Sequence, residues 1–129
     1  PVTVVEAVLP LREVTWRLYE AITTLEPFGY GNPAPRFLSR RALVRAVRPV
    51  GADGQHLRMV LTLPEGGPVW DAIAFRQGSR AREVRPGALL DVVYELRAEP
   101  WDGEPRLTLH VEDFAPSAEG VGEEAVPGC

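Results

Sequence analysis

Hydrophobic positions change period along this chain, and that change divides it. From Leu11 the apolar residues fall at Leu11, Val14, Leu18, Ile22 and Leu25, with Glu13, Arg17, Glu20 and Thr24 opposite. Spacings of three and four put one stripe on a helix. Its regular part begins either at a Thr15 cap or one turn earlier. Ahead of it, residues 1–10 read as an extended arm (Val2, Val4, Val5, Ala7, Val8) closed by Pro10. Beyond residue 37 the period drops to two, the signature of half-buried strands. Leu38–Pro49 is the first strand, followed by the turn Gly51-Ala52-Asp53-Gly54. Residues 56–63 alternate next, with Leu57, Met59, Leu61 and Leu63 on one face and His56, Arg58, Val60 and Thr62 on the other. After Pro64–Pro68, the third strand Val69–Arg76 is expected to turn Val69, Ile73 and Phe75 inward, with Trp70, Ala72, Ala74 and Arg76 outward.

Gly78–Val84 breaks the alternation and reads as a short helix after a Ser79 cap, closed by Pro86-Gly87. Strand four, Leu89–Arg97, points Leu90, Val92, Tyr94 and Leu96 one way. A hairpin loop, Pro100–Gly103, leads to strand five, Arg106–Phe114, with Leu107, Leu109 and Val111 inward and Arg106, Thr108, His110 and Glu112 outward. Three strands, a short helix and two strands is the order of a five-stranded OB-fold barrel, mainly β, here with an N-terminal helix. Pattern alone also admits an SH3-like barrel. The division expected is arm, helix and hinge over 1–35, barrel over 36–114, and a disordered acidic tail rich in Gly, Glu, Ser and Pro over 115–129.

Between helix and first strand lies a stretch dense in conformationally special residues. Pro27 ends the helix, Gly29 and Gly31 admit positive φ, and Asn32-Pro33 sets a turn. With Phe28 they form a hinge of one fixed shape. This stretch, Leu25-Glu26-Pro27-Phe28-Gly29-Tyr30-Gly31-Asn32-Pro33-Ala34-Pro35-Arg36-Phe37, resembles the entry to the C-terminal OB domain of the RecJ family, bacterial single-strand-specific 5′→3′ exonucleases. The similarity runs over residues 5–114 and includes Gly54–Leu57, Asp71–Phe75, Trp101–Gly103 and Val111–Phe114. It favours the OB assignment. It implies a parent enzyme of DNA repair and recombination whose N-terminal nuclease domains use Mn2+ or Mg2+, and a module that guides single-stranded DNA to them. A structural clamp, or a docking surface for single-strand binding protein, is the alternative.

Composition changes this picture in three ways. All 14 basic residues are arginine, which forks onto phosphates and stacks on bases. Net charge is −4, yet residues 36–85 carry ten arginines against Asp53, Glu65, Asp71 and Glu83, while residues 86–129 carry two against ten acids. A basic central stretch beside an acidic remainder suits nucleic acid. The single Cys129 leaves no internal disulfide, so a cytoplasmic setting is expected, and no apolar run has the length of a membrane span. Pro1 opens the sequence where a methionine would, and the chain reads as an excised fragment.

No catalytic centre is expected. The Asp-His-His metal motif of the resembled nucleases is missing, and His56 and His110 lie far apart in sequence. His56 with Asp53 reads as a polar turn rather than a catalytic pair, and neither a metal nor a cofactor is expected within the chain. Strand binding is the better candidate, through a basic groove interleaved with aromatic faces. The expected contacts are Arg40, Arg41 and Arg45 on strand one, His56 and Arg58 on strand two, Trp70 and Arg76 on strand three, and Arg80 and Arg82 on the short helix. Trp70 has open readings: a stacking platform, or a residue packed on the N-terminal helix or on a domain outside this sequence. Trp101 is either a lid on the barrel end or a second platform.

Overall fold

The computed structural model describes residues 5–24 and 34–118, the Trp101 side chain excepted. The hinge residues Pro27, Phe28, Gly29, Gly31, Asn32 and Pro33, and everything from residue 119 onward, lie outside the described residues.

The described part of the arm is tied to the sheet. Strand β1, Ala7–Val8, pairs in parallel with Phe37 and Leu38. After Pro10 a 3₁₀ turn spans Leu11–Glu13, and helix α1 runs from Trp16 to Thr23. Thr15 is its N-cap, its hydroxyl accepting from the Leu18 amide at 3.2 Å. Leu11, Val14 and Ile22 of the apolar stripe are buried against the sheet.

Five longer strands follow: β2 Phe37–Val50, β3 His56–Thr62, β4 Val69–Ala74, β5 Leu89–Trp101 and β6 Glu104–Pro116. The sheet is OB-fold-like and six-stranded, in the order β1-β2-β3-β4-β6-β5, with β2 also paired to β5. The count of five expected from the sequence omitted β1, because a two-residue strand carries no alternation to read. Strand β2 serves two partners, its first half pairing with β5 and its second with β3. Register shifts at Ser39/Ala42 and Val44/Ala46 mark the change, and Arg41 sits in the first with φ 61°. Such bulges sharpen the bend a single strand needs to serve both neighbours.

Three expectations change. The faces of β4 are inverted: Trp70, Ala72 and Ala74 are buried, while Val69, Asp71, Ile73 and Phe75 face outward. Pairing decides this. Leu61, Met59 and Leu57 stand opposite Trp70, Ala72 and Ala74, and residues directly opposite share a face. A narrow interior takes alanines where strands converge, so side-chain size misleads about direction. Secondly, Gly78–Glu83 is a 3₁₀ helix whose N-cap is Gln77 with no side-chain cap bond, so Ser79 caps nothing. Thirdly, β5 and β6 run on to a tight Asp102-Gly103 turn, both residues at positive φ, and β6 continues two residues past Phe114.

Leu57, Met59, Leu61, Ala74, Val92, Tyr94 and Leu109 form the centre of the core, all fully buried. One polar pair lies among them: the hydroxyls of Ser39 and Tyr94 are 2.7 Å apart. Burial pushes the Tyr94 phenol up to about 12, offset in part by that bond, so the ring stays neutral.

Candidate nucleic-acid interface

With β4 turned over, its outward residues meet those of β3 and β6 on one face. Arg58 of β3 stands opposite Ile73, and Ile73 opposite His110 of β6. Arg48 of β2 stands directly opposite Arg58. Two like charges side by side cost free energy unless something negative intervenes. Asp71 does so in part: one carboxylate oxygen lies 3.2 Å from Arg58 and the other 3.1 Å from Arg106. The row Arg48–Arg58–Asp71–Arg106 carries more positive than negative charge.

An aromatic cluster closes one end of that face. Phe75, the residue after β4, is 49% exposed although it is a large apolar side chain. His56 packs edge-on against it with ring centroids 5.0 Å apart, and His110 does the same from the other side at 5.3 Å. His56 is held in place because its Nδ1 accepts from the Arg76 amide at 2.9 Å. The neutral ring therefore keeps its proton on Nε2. His110 Nε2 lies 2.8 Å from Glu99 Oε2 without the alignment of a hydrogen bond. Burial pushes its imidazole below the ordinary value, against the pull of Glu99. A ring braced on two sides with one face toward water is what base stacking requires.

The expected contact residues separate into groups. His56 and Arg58 lie on the face described. Arg40 and Arg41 converge with Arg12 around the Leu63–Glu65 turn, the Arg41 amide donating to Asp91 at 3.2 Å. Arg45 is exposed at the second bulge of β2, Arg82 is exposed on the 3₁₀ helix, and Arg76 is exposed with φ 62°. Two residues do not fit the expectation. Trp70 is 8% exposed and its indole N–H donates to the Val14 carbonyl at 2.8 Å, so it packs against the segment ahead of α1 and does not stand out as a platform. Arg80 is spent internally: it bonds Gln77, Glu83, Asp113 and the Phe114 carbonyl, and its guanidinium lies 3.8 Å from the centre of the Phe114 ring. It fastens the 3₁₀ helix to β6. Trp101's side chain, with both its readings, lies outside the described residues.

Sequence reasoning missed Phe75, Arg48 and Arg106 as members of the face. Phe75 faces outward only because the register sets Leu57, Met59 and Leu61 opposite Ala74, Ala72 and Trp70, and hydropathy does not encode that register.

Charge reverses immediately beside this face: Glu95 of β5 stands opposite His110 and pairs with Arg97 and Arg36, and Glu112 of β6 also bonds Arg36. Among the described residues, no group of three or more His, Cys, Asp or Glu is placed to hold a metal ion, and no helix is long and apolar enough to cross a membrane.

The family described as RecJ OB domain matches residues 5–113 of this chain. The single-stranded-DNA-specific exonuclease RecJ of Bacillus subtilis is 28% identical over 117 residues, which is 91% of this chain and 15% of that protein. Crystal structures of RecJ from Thermus thermophilus superpose with TM-scores of 0.65 in complex with Mn2+ and 0.66 in complex with Mg2+. Their identities are 26% and 27%, with 88% and 90% of this chain covered, against 16% and 17% of theirs. A small single-stranded DNA-binding protein from Streptomyces coelicolor shares the fold at TM-score 0.52 and 12% identity, over 67% of this chain and 96% of that one.

Proposed function

The chain belongs to the RecJ OB domain family, and on that premise we propose that it is the strand-holding OB barrel of a longer 5′→3′ exonuclease specific for single strands. The chain spans 15% of the B. subtilis relative, so the nuclease activity is assigned to domains outside this sequence. The described residues offer no donor cluster for Mn2+ or Mg2+, and the metal chemistry of the parent enzyme is assigned to those same domains. Work in DNA repair and recombination, in the cytoplasm, belongs to the same reading.

One observation carries the binding role: Phe75 exposed beside His56 and His110, on a face that also bears Arg48, Arg58 and Arg106. The arginines hold phosphates without reading sequence, and the Phe75 ring stacks on whichever base passes. The arginine partners of Glu95 and Glu112 reduce the negative charge that a polyanion would meet on the neighbouring strands β5 and β6. Phe75→Ala is expected to weaken oligothymidine binding by roughly 5- to 100-fold, the range stacking supplies per base. Because the ring is half in water, thermal stability should scarcely change. Unaltered affinity with an intact fold would remove this face from the binding site and leave the clamp reading in its place.

A further inference from the structure

A second exposed aromatic side chain lies at the start of α1, beside the outer face of β4. Trp16 is 41% exposed at the first position of α1, where an amphipathic helix has no packing reason to place an indole. Tyr19 braces it edge-on, with centroids 5.7 Å apart and planes at 87°. Beside it opens a groove of 610 Å³ whose walls include Arg12, Trp16, Val69, Asp71 and Arg106, with Trp70 beneath. Val69 is 50% exposed, so two of the large apolar side chains most open to water border the same hollow. Its size lies within the range of small-molecule sites.

Building on the strand-holding reading, we propose that this groove is a nucleotide pocket: one base of the strand stacks on Trp16 while Arg12 and Arg106 take the adjoining phosphates. Three features support that occupant. The hollow is preformed, because the Trp70 indole N–H on the Val14 carbonyl fixes the arm to β4. Its charge is right for a phosphate, since Asp71 is already shared by Arg58 and Arg106 and Arg12 adds a further positive charge. It is also continuous with the first site. Val69, Asp71, Ile73 and Phe75 follow one another along one side of β4, and Val69 to Phe75 is about 20 Å at the rise of a strand. A strand stacked on Phe75 therefore reaches Trp16 by running along β4. The arm is thus a working half of the site and more than a brace for it.

The test is anisotropy titration of labelled oligothymidine, about eight nucleotides long to span an OB site, against the chain and four variants: Trp16→Ala, Trp16→Phe, Arg12→Ala and Phe75→Ala. Trp16→Ala should weaken binding at least about five-fold, while Trp16→Phe retains most of the affinity because any ring can stack. Arg12→Ala should lower the salt slope by about 0.7, one phosphate's worth on a single strand. If Phe75→Ala weakens binding and neither Trp16→Ala nor Arg12→Ala does, the pocket is overturned and the strand-holding reading stands. If the unaltered chain binds no oligothymidine, both are overturned. Loss of melting temperature in Trp16→Ala with affinity unchanged means that the chain itself fills the groove, and this also overturns the pocket.

Discussion

Replacing Trp70 by alanine is expected to destabilise the fold by about 3–5 kcal/mol, the usual cost of emptying a large buried aromatic site. Typical domains have only about 5–15 kcal/mol in total, so much of the stability would go. The indole is 8% exposed and fills the space between β4 and the arm, beside Leu11 and Val14. Its N–H also satisfies the Val14 carbonyl, which has turned away from helical hydrogen bonding at the end of the 3₁₀ turn. Trp70→Phe separates the two contributions. It keeps most of the apolar body and leaves that carbonyl unpaired, for about 1–3 kcal/mol. Urea unfolding of both variants measures the difference. A Trp70→Ala chain of unchanged stability that had lost its affinity for single strands would contradict the burial and restore the indole as a platform.

Gly78→Ala should be comparably damaging for a different reason. A Cβ at residue 78 would lie 1.8 Å from the Gly54 carbonyl oxygen, and 2.8 and 2.9 Å from the carbonyl carbons of Gln55 and Gly54. These are backbone atoms, so no rotamer change makes room. The Gly78 amide donates to the Gln55 carbonyl at 2.9 Å, which holds the 3₁₀ helix against the β2–β3 turn. An alanine must push the two apart and break that bond, at an expected cost of about 3 kcal/mol or more. At the entropy of unfolding of a domain this size, the melting temperature should drop by roughly 10 °C. The binding face would suffer too, because the Arg76 amide that positions His56 lies two residues from Gly78. A thermal melt within about 2 °C of the unaltered chain would show that the turn yields and that the contact is not limiting.

Much of the architecture was legible because it rests on alternation. Leu57–Leu61, Leu90–Leu96 and Leu107–Val111 declare their faces, since each inward position is large and apolar. Strand β4 did not, because its inward residues are one tryptophan and two alanines while its outward ones include Ile73 and Phe75. Hydropathy alone picks the wrong face there, and only the register with β3 corrects it. That single inversion moved the aromatic centre of the site from Trp70 to Phe75. Arginine roles were illegible for another reason. Arg80 and Arg48 look alike in sequence, but one is held by carbonyl and carboxylate partners brought in from β6 and the other is exposed on β2 opposite Arg58. Long-range pairing creates that distinction, and no local pattern records it.

If this barrel holds single strands through an arginine-bearing face and an exposed ring, its affinity must depend on salt. Anisotropy of labelled oligothymidine, followed from low to physiological salt, tests that most directly. Micromolar binding that weakens steeply as salt rises is the expected result. The log–log slope should fall by about 0.7 in Arg48→Ala, a residue on the open face with a neutralising role of one phosphate. Absence of binding at tens of micromolar in low salt, or binding indifferent to salt, would contradict the strand-holding role and point to a clamp or protein-docking role for the domain.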